Sequence, residues 1–110
     1  MALSVLLGAF GAHALKAQLS PEMMQVYKIG VEYQFYHALG LLLVGIVSFQ
    51  VKSKYLNWSG LLITIGIILF SGSLYLLSLT GAKAVGAITP IGGLSLVAGW
   101  VLMAIAVWKR

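Results

Sequence analysis

The chain has 110 residues, of which 61% are hydrophobic and only 8% are charged, and its mean hydropathy is +1.03. A soluble domain is about one quarter charged and a small one buries only roughly 60–70% of its surface, so this composition excludes an ordinary soluble fold. The formal net charge of +5 comes from basic residues that stand singly or in pairs beside apolar runs, a pattern that favours topology signals and lipid contact over nucleic-acid binding. The chain contains no cysteine, which excludes disulfides and thiolate chemistry.

The first predicted helix covers residues 2–15, which are uncharged and mostly apolar. At about 1.5 Å per residue this helix is roughly 21 Å long, less than the ~30 Å of a hydrocarbon core. We therefore expect a first helix that is short or truncated at its N-terminus. Ser4, Gly8 and Ala12 recur every four residues with Gly11 beside them. Small residues at this spacing let two helix backbones approach closely in lipid, so they predict a packing face.

The second predicted helix covers residues 21–51. Ser20 suits the N-cap and Pro21 suits the first helical position. The first half of this helix is amphipathic and carries Lys28 and Glu32 one turn apart, whereas the second half is apolar. We therefore expect the first half to lie at the membrane interface and the second half to span.

Two further helices are predicted over residues 57–80 and 90–108. The third is uncharged from residue 58 onward and is the clearest spanning segment, with Asn57 as its expected cap. Thr89 and Pro90 open the fourth by the combination of a capping residue and proline. The fourth helix carries a second predicted packing face, made of Gly92, Ser95 and Gly99. The fold class is therefore an all-α integral membrane four-helix bundle that forms a single domain.

The basic residues also predict an orientation. Lys52, Lys54, Lys109 and Arg110 fall on one side of the membrane, whereas the basic residues on the other side are fewer or balanced by Glu22 and Glu32. Because positive charge concentrates in cytoplasmic loops, the loop at 51–56 and the C-terminus are expected in the cytoplasm. The predicted location is a bacterial inner membrane, crossed several times.

Few residues of this chain can carry chemistry, and the two histidines come first, because an ionisable group at membrane depth is a functional-site hypothesis. The candidate polar cluster consists of His13, Tyr33, His37, Ser71, Ser73, Tyr75 and Thr89. Three interpretations are open for the histidines: hydrogen bonding between helices, ligation of a metal or haem without an evident third ligand, and proton coupling at His37. No catalytic motif and no aspartate is present, so we expect no enzyme, no cofactor and no metal.

Four motifs follow one another along the whole chain: GAFGAHALK at 8–16, Tyr33-x-x-x-His37-Ala38-Leu39, SGSLY at 71–75 and ITPIGG at 88–93. In this order they resemble the small bacterial membrane family called domain of unknown function 423, of the YgdD and YwdK type, which is similar to a small animal transmembrane protein. The resemblance implies a four-helix inner-membrane protein without an established activity. It also implies a longer apolar stretch before GAFGAH than this chain carries.

These observations favour an integral membrane protein that serves as a structural, assembly or accessory component. Two alternatives stay open: a small oligomeric transporter or channel in which His37 is proton-coupled, and a haem- or quinone-associated redox subunit. The expected partners are the lipid bilayer and either a second copy of the chain or another membrane protein, and no nucleic acid.

Overall fold

A computed structural model describes residues 1–15, 18–81 and 83–109. The predictions for Lys16 and Arg110 lie outside these described residues. The elements are α1 (Ala2–Phe10), a π-helical turn (Gly11–Leu15), α2 (Pro21–Val47), α3 (Lys54–Thr80), a 3₁₀ turn (Lys83–Ala87) and α4 (Thr89–Trp108). Three helices, α2, α3 and α4 with its preceding turn, are long and apolar enough to cross a membrane, and Ala2–Leu15 is a shorter apolar helix. The predicted all-α membrane bundle with a short first helix is confirmed.

The ends of the helices show which capping signals are used. Ser20 caps α2 as expected, since its hydroxyl accepts a hydrogen bond of 3.1 Å from the Met23 N–H. The cap of α3 is Ser53, whose hydroxyl accepts from the Tyr55 N–H at 3.2 Å, so α3 begins at Lys54 and Asn57 lies inside it. Thr89 is already helical, and its hydroxyl hydrogen-bonds Ser73 on α3.

The second helix ends at Val47, earlier than the predicted Val51. Beyond Val47 the backbone tightens, since the N–H of Phe49 bonds the carbonyl of Ile46 and the N–H of Gln50 bonds that of Val47. Val51 then leaves the helical path and is buried with Leu56 and Ala106 in a cluster that joins three elements. Burial of this apolar side chain explains why hydropathy alone places the end of the helix too late.

The arrangement is elongated and flattened, with principal extents of 50 × 26 × 14 Å. Helix α3 packs against both α2 and α4, while α1 and its π-helical turn lie against the N-terminal half of α2. The cross-section is therefore nearly twice as wide as it is deep. Most large apolar side chains consequently face outward, as a protein surrounded by lipid requires.

The contact between α3 and α4 brings the two backbones together. A methyl group added at Gly92 would lie 2.9 Å from the carbonyl carbon of Leu69 and from Cα of Phe70, and one added at Gly99 would lie 3.2 Å from the carbonyl oxygen of Ser59. Ser59 Oγ donates to the Gly99 carbonyl oxygen at 2.6 Å, and Ser95 Oγ donates to that of Leu62, also at 2.6 Å. The predicted packing face of the fourth helix therefore lies at this contact.

The predicted packing face of the first helix is buried only in part. Ser4 is 2% exposed, and a methyl group at Gly11 would lie 2.9 Å from Cδ1 of Tyr27 on α2. Gly8 is half-buried, and Ala12 is exposed. The hydroxyl of Tyr27 completes the contact by donating to the carbonyl oxygen of Leu7 at 2.5 Å. Gly11 is thus the glycine of α1 and its π-helical turn that a neighbouring side chain approaches most closely.

We predict that Gly92→Ala lowers the stability of the folded chain by about 1–3 kcal/mol, because its Cβ would meet main-chain atoms of Leu69 and Phe70 that cannot move aside. The matched control is Gly72→Ala on α3, where an added Cβ would have no atom of a described residue within 4 Å. This control should be neutral or more stable by up to about 1 kcal/mol. The free energy of unfolding of both variants can be measured by titrating sodium dodecyl sulfate into the protein in mild-detergent micelles. Equal stability of the two variants would contradict the packing described.

Candidate functional site

A groove of about 480 Å³ runs between α2 and α4, with α3 as its floor. Its walls carry aromatic and apolar side chains, and the groove is open at the outer surface of the helix bundle. The residues that define it are Tyr33, His37, Phe70, Pro90, Leu94 and Trp100. Two of them, Tyr33 and His37, belong to the candidate cluster predicted from the sequence. We call this feature the His37 groove.

The imidazole of His37 is held in one orientation. The side chain is only 8% exposed, and its Nδ1 lies 2.8 Å from the backbone carbonyl oxygen of Tyr33, one helical turn earlier. A carbonyl oxygen can only accept, so Nδ1 carries the proton, and in a neutral imidazole Nε2 is then a hydrogen-bond acceptor. Within the described part of the chain, Nε2 has no hydrogen-bond partner. His37 lines the groove, so this acceptor is open to a ligand there.

Aromatic rings surround this acceptor. The ring of Tyr33 is stacked on His37 with centroids 6.0 Å apart, and it also contacts Phe70 at 4.7 Å. On the other side, Trp100 meets His37 edge-on at 5.8 Å. Trp100 reaches this position because Gly40 leaves room, since a methyl group at Gly40 would lie 2.8 Å from the indole Cζ2. Four rings from three helices thus line one continuous surface.

Sequence analysis missed Phe70, Trp100 and Gly40 as parts of this site. A usable signal was present for Trp100, because it lies in the middle of α4 and not near a helix end, where membrane tryptophans usually collect. Gly40 follows His37 by three residues and therefore shares its helix face. Nothing in the spacing identifies Phe70 before the neighbours of α3 are known.

Apart from His13, the other members of the candidate cluster connect helices and do not line the groove. Ser71 Oγ donates to the Gly30 carbonyl oxygen at 2.7 Å, which connects α3 to α2. The hydroxyl of Tyr75 donates to Oε1 of Gln34, a partner that the sequence did not indicate. Ser73 and Thr89 hydrogen-bond each other at 2.5 Å and connect α3 to α4. These four residues act as interhelical hydrogen-bond partners, whereas the interpretations left open above concern the two histidines.

His13 lies apart from His37. It is exposed in the π-helical turn, where its neighbour Gly11 packs against Tyr27 of α2. Tyr27 precedes His37 by ten residues, which corresponds to about 15 Å along a helix. The two histidines therefore do not share one site. In the described ranges, no three His, Asp or Glu side chains come together as metal ligands.

Comparison with known proteins places most of the chain within one family. Residues 7–93 match the family model described as "Protein of unknown function (DUF423)". A UPF0382 membrane protein of Staphylococcus haemolyticus is 49% identical over 107 residues, which cover 97% of this chain and 87% of the relative. YwdK, a UPF0382 membrane protein of Bacillus subtilis, is 43% identical over 108 residues, 97% of this chain and 88% of the relative. No solved structure matches the chain significantly.

We predict that Tyr75→Phe destabilises the chain by about 0.5–2 kcal/mol, because it removes the hydroxyl that hydrogen-bonds Gln34 between α2 and α3. Tyr33→Phe is the matched control, since the Tyr33 hydroxyl has no hydrogen-bond partner among the described residues. Thermal unfolding in detergent, followed by circular dichroism, gives the stability of the Tyr75→Phe and Tyr33→Phe variants for comparison. A Tyr33→Phe variant as destabilised as Tyr75→Phe would show that the α2–α3 hydrogen bond contributes nothing specific.

Proposed function

We propose that this chain, which belongs to the DUF423 family and is embedded in a membrane, is a non-catalytic accessory component that packs laterally against another membrane protein. The partner contact would be made by a transmembrane helix lying along the outer face of α3. The observations that support this proposal are the rigid connection of the three long helices and an uncovered apolar stripe on the middle one.

The three long helices are joined through the main chain. Ser59, Ser71 and Ser95 each donate to a backbone carbonyl of a neighbouring helix at 2.6–2.7 Å. In hydrocarbon no water competes for these donors and acceptors, so such bonds persist and hold the helices in one arrangement. A fixed arrangement suits a protein whose role is to present a surface to a partner.

The stripe on α3 is the observation that carries the proposal. It follows one helix face at intervals of three and four residues, and its large side chains are 39–65% exposed although α2 and α4 flank the helix. Its members are Leu61, Ile65, Ile68, Gly72, Leu76 and Leu79. The 18 residues between the first and last members correspond to about 27 Å, close to the thickness of a hydrocarbon core.

Gly72 lies near the middle of this α3 stripe. No atom of the described residues lies within 4 Å of a Cβ built there, and a surface groove of about 450 Å³ opens beside it. Close backbone approach at small residues drives helix association in lipid, where the hydrophobic effect no longer favours it. Gly72 would therefore be the point where a partner helix comes nearest.

We also propose the orientation predicted by the charges, in a bacterial inner membrane. Lys54 and Lys109 lie at one end of the molecule, where the Nζ atom of each is 5.8 Å from the ring centroid of Tyr55. Lys83 lies in the 3₁₀ turn between α3 and α4, at the opposite end. The more basic end would face the cytoplasm, because positive charge is retained there.

The partner contact can be tested by placing a photo-crosslinking amino acid at Ile68 and illuminating native membranes. We expect one membrane protein other than the chain itself to be captured, and we expect Gly72→Leu to reduce that capture at least several-fold, because its bulk separates the helices. A photo-crosslinker at Val101, which is 51% exposed on α4, is the control and should not capture this protein. Products made only of the chain itself or of lipid would refute the proposal.

The orientation can be tested because the chain contains no cysteine. A membrane-impermeant maleimide should label Lys83→Cys in cells whose outer membrane is permeabilised. It should label Lys52→Cys only after the inner membrane is opened as well. The reverse pattern would overturn the assignment of the basic end to the cytoplasm.

A further inference from the structure

We propose that the His37 groove is a binding site for an uncharged aromatic alcohol dissolved in the membrane, such as a phenol or a quinol, whose hydroxyl donates a hydrogen bond to Nε2 of His37. This inference goes beyond the accessory role. It concerns the opposite side of α3, since Phe70 on the groove floor is separated from Ile68 and Gly72 of the α3 stripe by about half a turn.

The unpaired acceptor determines which polar group the ligand must offer. Nδ1–H of His37 donates a hydrogen bond to the Tyr33 carbonyl oxygen, so the lone pair of Nε2 is available to accept one. Acyl chains carry no hydrogen-bond donor, and an acceptor that faces an apolar medium without a partner is costly. A molecule that brings a hydroxyl to Nε2 therefore gains a hydrogen bond that the surrounding lipid tails cannot supply.

The lining of the groove determines the body of the ligand. Tyr33, Phe70 and Trp100 present ring surfaces from three different helices, and planar rings pack favourably against such surfaces in offset or edge-on geometry. The described residues that line the groove include no Lys, Arg, Asp or Glu, which favours an uncharged ligand. The volume of about 480 Å³ lies within the range of small-molecule sites and accommodates one or two fused rings.

The groove is accessible from the bilayer. Leu94 and Val97 on its α4 side are 72% and 60% exposed. Pro90 lies at the start of α4, and Trp100 lies ten residues further, or about 15 Å, along the helix. The groove thus runs from one end of α4 to its middle. A ligand dissolved in the membrane can enter laterally without crossing the protein.

The test uses the full chain in lipid nanodiscs with 2-naphthol as the probe and 2-methoxynaphthalene, which lacks the donor, as its matched partner. In a His13→Gln background His37 is the only histidine, so ¹⁵N NMR reports on its ring alone. We expect 2-naphthol to shift the Nε2 resonance saturably, and we expect the ether to leave it unchanged. Equal shifts by the two compounds, or a shift by 2-naphthol that does not saturate, would overturn the proposal.

A variant and a competitor complete the test. His37→Phe keeps a ring in place but removes the acceptor, and we expect binding of radiolabelled 2-naphthol in equilibrium dialysis to weaken about 5-fold. Unchanged affinity would contradict the role of Nε2, and the comparison of naphthol with its ether stays decisive if this variant does not fold.

Dioctanoylglycerol offers an aliphatic hydroxyl on an apolar body. Its displacement of 2-naphthol at equal concentration would refute recognition of an aromatic ring, whereas failure to displace it supports that recognition.

Discussion

The close contact between α3 and α4 is the constraint on which the rest of the structure depends. Gly92 and Gly99 let main chain approach main chain, and Ser59 and Ser95 then reach carbonyl oxygens of the opposite helix. In water, burial of apolar side chains would drive such packing, but lipid tails are as apolar as leucine. Close fit and hydrogen bonds that water cannot disrupt have to hold the helices together. Once α4 is fixed on α3, the position of the groove wall that carries Trp100 is fixed as well.

The inner face of α2 has one part that binds α3 and another part that lines the His37 groove. Toward its N-terminal half, Gly30 and Gln34 receive hydrogen bonds from Ser71 and Tyr75, so this part is fastened to α3. One turn further, His37 faces Trp100 across the groove, and among the described residues its hydrogen-bond partner belongs to its own helix. The inner face of this helix thus changes from a structural contact to an acceptor without a partner within about 5 Å of rise. The rigid part keeps the aromatic rings of the open part in position.

Local chemistry was sufficient to predict much of the fold. Ser20 before Pro21 marked the start of α2, the long uncharged stretch marked α3, and Gly92 with Gly99 marked the packing face of α4. Two boundaries were displaced, because the choice of Ser53 as the cap and the burial of Val51 depend on contacts with other elements. The π-helical turn at Gly11–Leu15 had no signal in the residue pattern.

The candidate site was predicted less completely, for a related reason. His37 and Tyr33 could be selected because they are polar or aromatic side chains in an apolar segment. Their neighbours Phe70 and Trp100 are ordinary apolar residues until the adjacent helices are known. Likewise, Ser71 and Tyr75 were recognised as polar residues, but their partners Gly30 and Gln34 follow only from the pairing of α2 with α3.

The serine bonds to main-chain carbonyls have one more consequence, which concerns how the sequence can change. Every residue of a helix has a carbonyl, so the acceptor opposite Ser59 carries no information about side-chain identity. For its contact with α3, α4 must retain the hydroxyl of Ser95 and small residues at Gly92 and Gly99, seven positions or two turns apart. Helix α4 is in this respect an exchangeable module. The surface of α4 that faces away from α3 is free to diverge or to be redesigned for a new neighbour, while the contact between α3 and α4 stays intact.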